Sequence, residues 1–251
     1  LVVTGGPGVV KQALQSGKKV IGAGAGNPPA FVDETADIKK AAQDIVLGAS
    51  LDNNILCIAE KSVVAMRQIE PQLVQEMVKA GCVLVDNQQD IQRLVDLTVL
   101  PNGTPNKQFV GKNASVILDA AHISYTGDPR LIIMRTPKDH PFAVIEMLMP
   151  ILPVVTVDSF DEGLDVCLKL EAGLHHTATM HSLNMGRLNQ MARKMKTSIF
   201  VKNGPSYAGL GFSGEGTTTF TIATPTGEST TSARCFARPR RCCLTTGFNI
   251  R

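Results

Sequence analysis

The stretch VVTVDSFDEGLDVCLKLEAGLHHTATMHSLNMGRLNQMARKMKTSIFV, residues 154–201, decides the fold class. It opens on a short β-branched run at 154–157. Residues 160–170 follow with helical spacing, and Asp161 and Glu162 fall in the first turn, where negative charge suits the helix dipole. Residues 177–180 read as a second strand, 185–195 as a second helix and 198–201 as a third strand. Strands alternating with helices in this way predict an α/β fold with a largely parallel sheet and flanking helices.

The same texture extends towards the N-terminus. The run Leu131-Ile132-Ile133-Met134 predicts a strand at 130–135 buried on both faces. Residues 62–66 are β-rich, and helical patterns cover 37–49, 71–80 and 91–97. Residues 107–123 read as a helix and a strand. At the start, residues 1–3 read as a strand end, Gly5-Gly6-Pro7-Gly8 as a turn, 9–16 as a helix and 19–21 as a strand: a βαβ-like unit of the kind found in nucleotide folds. After residue 204, Gly, Ser and Thr dominate to about 233, and an Arg-rich, strand-like segment follows to Arg251.

Composition narrows the function. The chain has 251 residues, 43% hydrophobic and 19% charged, which is enough for a real core and too ordered for a disordered protein. A net charge of +3, with one short basic cluster at 234–241, gives no case for nucleic acid. No apolar stretch is long enough to cross a membrane, and no signal peptide pattern opens the chain. Leu1 stands in what reads as mid-strand, so a piece of a longer protein is expected. Cysteines at 57, 82, 167, 235, 242 and 243 fit no zinc spacing and suit a reducing cytoplasm. Cys82 and Cys167 read as buried small hydrophobes.

Four features carry chemistry. Cys57 follows the turn-forming Asp52-Asn53-Asn54 and lies among Ile55, Leu56 and Ile58. A core thiol is one reading; a reactive thiol set just after a turn is the other. Thr4-Gly5-Gly6 follows a strand and opens a helix, as a phosphate-binding turn would. The second glycine turn, Gly22-Ala23-Gly24-Ala25-Gly26, misses the dinucleotide spacing because Asn27 stands where glycine is required, and Pro28-Pro29 blocks the helix that should follow. Glu146 is a carboxylate in an apolar run, which calls for an ion pair, a ribose hydroxyl or a proton-transfer role. Among His122, His140, His175, His176 and His181, the pair at 175 and 176 enters a strand, a common place for site residues; no third ligand accompanies it for a metal.

Taken in order, Val3-Thr4-Gly5-Gly6-Pro7, the turn at 22–29, Asp52 to Lys61, Glu146 to Pro150, His175 to Ala178 and Ser198 to Tyr207 resemble the aldehyde dehydrogenase superfamily, most of all its CoA-acylating members of propanediol and ethanolamine utilisation. The resemblance runs along the whole chain and is to the C-terminal half of those proteins. It implies the end of a nucleotide-binding domain at 1–26, a catalytic domain at 27–215, and a return segment with an oligomerisation strand at 216–251. It implies oxidation of a short aldehyde, propionaldehyde or acetaldehyde, with NAD as cofactor and coenzyme A as co-substrate. Cys57 would be the nucleophile, Thr4, Gly5 and Gly6 the turn at the cofactor pyrophosphate, and Glu146 the carboxylate near the nicotinamide ribose. His176 would lie near the reacting centre as a base for the CoA thiol.

Hydrolytic relatives carry a glutamate base in an E-L-G-G segment 34 residues before the nucleophile, and that place is Ala23 here. Without the base a thioester should await a thiol rather than water. The family's oxyanion-stabilising asparagine comes from the N-terminal half, so a fragment alone should lack turnover. Two other readings stand beside this one: a hydrolytic aldehyde dehydrogenase, which Ala23 opposes, and a non-catalytic fragment that serves as an assembly partner. The resemblance further implies a homo-oligomer, dimer or tetramer, with a strand at 240–251 pairing to a neighbour. It implies a cytoplasmic enzyme that can reside in a bacterial microcompartment among its shell or core proteins.

Overall fold

The computed structural model describes residues 1–247. Strand β1 (Val2–Thr4), helix α1 (Pro7–Leu14) and strand β2 (Ile21–Ala23) form the small βαβ unit, with β1 and β2 parallel. β2 lies two residues beyond the strand expected at 19–21, so Gly22 and Ala23 are strand rather than turn. The next strand, β3 (Pro29–Val32), was not legible as one. Pro28 and Pro29 do stop a helix, and what forms instead is a strand, because proline is tolerated at a strand's first residue.

The main body follows. Helix α2 (Ile38–Ser50) leads through a short turn to β4 (Ser62–Met66), then α3 (Glu70–Lys79), β5 (Cys82–Leu84), α4 (Gln88–Thr98) and α5 (Ala114–Ala120). After these come β6 (Leu131–Arg135), the single turn α6 (Pro141–Val144), β7 (Ile151–Val157), α7 (Phe160–Glu171), β8 (Thr177–His181), α8 (Met185–Met195) and β9 (Ile199–Lys202). Between residues 107 and 123 only the helix forms; residues 107–111 are turn. The helices begin where short polar side chains cap them: Asp37 accepts from the Lys40 N–H, Asn87 from Gln89, Ser159 from Glu162 and Asn184 from Arg187. A hairpin of β10 (Ile222–Ala223) and β11 (Ser229–Thr230) returns to pack beside β2. One helical turn, α9 (Ala233–Phe236), follows. The Arg-rich tail is not a strand at 238–247, and the rest of the strand expected at 240–251 lies outside the described residues.

Seven strands, β3 to β9, form one parallel sheet in the order β5-β6-β7-β4-β3-β8-β9. Residues 131–134 of β6 are buried, as the continuous apolar run required. Cys82 and Cys167 are buried core residues as expected. Phe31 sits at the centre of the sheet, fully buried, with its ring stacked 5.8 Å from that of Phe160. A Cβ at Gly163 would come within 2.3 Å of the Phe31 ring, so α7 can lie this close to the sheet only with glycine there. Phe31→Ala should therefore cost about 3–5 kcal/mol of unfolding free energy. Urea unfolding checks this, and a loss under about 1 kcal/mol would contradict the packing described.

The strand order positions the site. β7, β4, β3 and β8 are consecutive neighbours, and all point the same way. The segments that precede them, around Glu146, Cys57, Gly26 and His176, therefore converge at the amino edge of the sheet.

Candidate active site

The Cys57 turn begins where α2 ends. Asp52, Asn53 and Asn54 are consecutive left-handed residues, with φ of 49°, 53° and 64°. Such residues cost about 1 kcal/mol each, least for Asn and Asp. Side chains offset that cost. Asn53 Nδ2 donates to the Gly111 carbonyl at 3.1 Å and to Asn113 Oδ1 at 2.8 Å. Asn54, buried, donates to the carbonyls of Ala49 and Glu60 at 2.7 and 2.9 Å. Lys61 Nζ, also buried, donates to the Asn54 carbonyl, Asn54 Oδ1 and the Leu56 carbonyl.

Cys57 is half-buried on the wall of a cleft of about 300 Å3, which Thr4, Gly5, Gly6, Gly24, Glu146 and Phe220 also line. Burial raises its thiol pKa, and the Glu146 carboxylate adds to the rise. Lys61 opposes this, with help from the backbone N–H groups of Cys57 and Ile58. Glu146 is itself pushed above the usual carboxylate range by burial, against the pull of Lys61 and of the Gly26 N–H, which donates to its Oε1 at 3.1 Å. The structure thus brings Cys57, Glu146, Thr4, Gly5 and Gly6 to one cleft.

His176 is placed differently. Its ring is fully buried behind Gly26 and does not line the cleft. A Cβ at Gly26 would lie 2.7 Å from both the Cys57 carbonyl oxygen and the His176 ring, so glycine separates the two. The His176 N–H donates to Glu171 Oε1 at 2.8 Å, and Nδ1 meets Thr177 Oγ1 at 2.9 Å, while buried Nε2 has no partner among the described residues. Burial, with Lys61 adding, draws its pKa down to about 4, so the ring is neutral at pH 7.

Several site groups carried no role in the sequence reading. Lys61, Asn54 and the Glu60 carbonyl hold the turn before Cys57, and Gly26 lets the wall close. Glu60 is buried, accepts from Ser206 N and Oγ at 2.7 and 2.9 Å, and is pushed up to about 7 by burial. The one sequence signal was an adjacent Glu60-Lys61 pair on the doorstep of the apolar strand β4. Ala23, the place of the hydrolytic base, is a buried strand residue.

A half-buried thiol, a glycine turn at a strand end and a buried carboxylate surround one cleft. The chain belongs to the aldehyde dehydrogenase family, whose model matches residues 3–223. It is 58% identical over 252 aligned residues to a propanal dehydrogenase (CoA-propanoylating) of Citrobacter freundii, covering all of this chain and 54% of that protein. It is 48% identical to the acetaldehyde dehydrogenase (acetylating) EutE of Salmonella typhimurium, covering all of this chain and 55% of that protein. Among solved structures, Rhodopseudomonas palustris propionaldehyde dehydrogenase with bound propionyl-CoA superposes with a TM-score of 0.95 at 50% identity, over 97% of this chain and 54% of that one. The chain thus spans about half the length of the curated relatives it matches.

Proposed function

We propose that this chain carries the catalytic cysteine of a CoA-acylating aldehyde dehydrogenase acting on propionaldehyde or acetaldehyde. The observation that carries the reading is the shared cleft of Cys57, Glu146 and Thr4 to Gly6; Ala23 holds the sequence position at which hydrolytic relatives carry a water-activating carboxylate.

In this reading Cys57 Sγ, as thiolate, forms a bond to the aldehyde carbon, and the carbonyl oxygen takes the negative charge. The N–H groups of Cys57 and Ile58 and the Lys61 charge favour the thiolate against burial. The other end of the cleft is assigned to NAD, a reading supported by the open space at Gly6 and by α1, which starts there with no side-chain cap among the described residues. Thr4, Gly5 and Gly6 would hold its pyrophosphate and Glu146 its ribose. Bound NAD supplies the acceptor for the hydride that leaves the aldehyde carbon. The acyl group then rests on Cys57 as a thioester, and Ala23 offers water no base. The CoA sulfur attacks the thioester carbon, the bond to Cys57 breaks, and Cys57 leaves as thiolate. His176 is assigned the CoA thiol proton; its unpartnered Nε2 must be reached past Gly26.

The same reading takes residues 1–26 as the end of the nucleotide-binding domain, 27–215 as the catalytic domain and 216–251 as the return and oligomerisation segment. It extends to a cytoplasmic homo-oligomer that resides in a bacterial microcompartment. The relatives named for propanoylation and acetylation support the acyl-CoA product. The experiment is product analysis of the protein with propanal and NAD, with and without CoA. Propanoyl-CoA should form with CoA present, and free propanoate should form at least about 100-fold more slowly, the contribution of a missing general base. Propanoate released at a comparable rate without CoA would favour the hydrolytic reading instead.

A further inference from the structure

Glu60 and Lys61 are neighbours in sequence, opposite in charge and both buried, and the chemistry above gives Lys61 no contact with substrate. An ammonium has three protons to donate. Lys61 spends all three on the segment leading into Cys57: the Asn54 carbonyl at 2.7 Å, Asn54 Oδ1 at 2.7 Å and the Leu56 carbonyl at 2.8 Å. Asn54 in turn is fixed to the end of α2 and to the Glu60 carbonyl. A lysine whose head is committed to two backbone carbonyls and one side-chain amide oxygen of the same segment is an anchor, and what it anchors is the turn of three left-handed residues that presents the thiol.

We propose that Lys61 is a positioning residue for Cys57: its ammonium gathers the carbonyls of Asn54 and Leu56, fixes the turn, and sets one positive charge and the Cys57 and Ile58 N–H groups towards the sulfur. This rests on the reading of Cys57 as the nucleophile. The charged and titratable groups facing the pair are Glu146 from the segment before β7, Glu60 from their own segment and His176 from the entry to β8. Glu146 raises the Cys57 thiol, and Lys61 is the one cation that lowers it among the groups acting on it. Burial draws Lys61 down to about 8, so it remains an ammonium at pH 7.

The test is the pH dependence of Cys57 alkylation by iodoacetamide in the whole chain, read by peptide mass spectrometry so that Cys235, Cys242 and Cys243 are scored apart. In Lys61→Met, which keeps the length and removes charge and donors, alkylation at pH 7.5 should slow about tenfold, the equivalent of one pH unit of thiolate fraction. Its profile should move to higher pH. Lys61→Gln, which keeps two donors without the charge, should be slowed in the same direction. Folded variants that alkylate at the wild-type rate with an unmoved profile overturn the proposal. So does failure of both to fold, because Lys61 is then structural alone. Thioester formation with propanal and NAD, scored in the wild-type protein that carries this chain together with its N-terminal half, separates this result from the catalytic reading. Slowed alkylation in the variants without any wild-type thioester supports the positioning role and removes the catalytic one. A wild-type thioester with unchanged alkylation in the variants does the opposite.

Discussion

Cys57→Ser is expected to lower acyl-CoA formation by at least about 10,000-fold in the protein that carries this chain, the scale of loss when a nucleophile is removed. A serine hydroxyl ionises far above neutral pH, and among the described residues no basic side chain is hydrogen-bonded to Sγ to take its proton. The groups that favour a thiolate here, the Lys61 charge and two N–H groups, are too few to bring an alkoxide into range. The fold should survive. The turn is held by Asn53, Asn54 and Lys61 rather than by the sulfur, so the unfolding free energy should change by less than about 1 kcal/mol. Steady-state acyl-CoA production and urea unfolding, read side by side, check both halves. Activity above about 1% of wild type in a folded variant would remove Cys57 from the chemistry.

Gly26→Ala is the second large effect. The added Cβ would lie 2.7 Å from the Cys57 carbonyl oxygen and 2.7 Å from His176 Cγ. Neither neighbour is a flexible chain end: one is backbone of the nucleophile turn, the other a fully buried ring. Overpacking of this kind costs about 1–3 kcal/mol. The turn must also shift, and the Gly26 N–H is the group that donates to Glu146. A displacement of about 1 Å at a reacting atom can cost 100-fold in rate, so activity should fall at least that far while the protein still folds. Kinetics of thioester formation, with thermal unfolding as the control, make the check. A folded Gly26→Ala protein with wild-type kinetics would mean that the wall between Cys57 and His176 is not set as described.

Much of the fold was legible because periodicity alone writes it. Helix α8 falls on the same residues, Met185–Met195, that the apolar spacing marks, and the run at 131–134 forms β6. Strand β3 was hidden: four residues that start on the second proline of a Pro-Pro pair carry no alternation, and the strand's place between β4 and β8 comes from long-range pairing. The arginines of the tail look strand-like by composition, yet 238–247 form no ladder among the described residues. Motif order singled out Cys57, Glu146 and Thr4 to Gly6, and in the structure these residues line one cleft, where strand order brings Cys57 and Glu146 together. Lys61 was not, since three hydrogen bonds to oxygens of Asn54 and Leu56 leave no periodic trace. Nor was the burial of His176, because one residue along, at His175, the backbone turns left-handed and the next side chain points inward.

The most direct test of the account is peptide mass spectrometry of the protein after incubation with propanal and NAD in the absence of CoA. A propanoyl group should appear on Cys57, persist against water, and disappear as propanoyl-CoA when CoA is added. An acyl group on another residue, or none on Cys57 while product still forms, would contradict it.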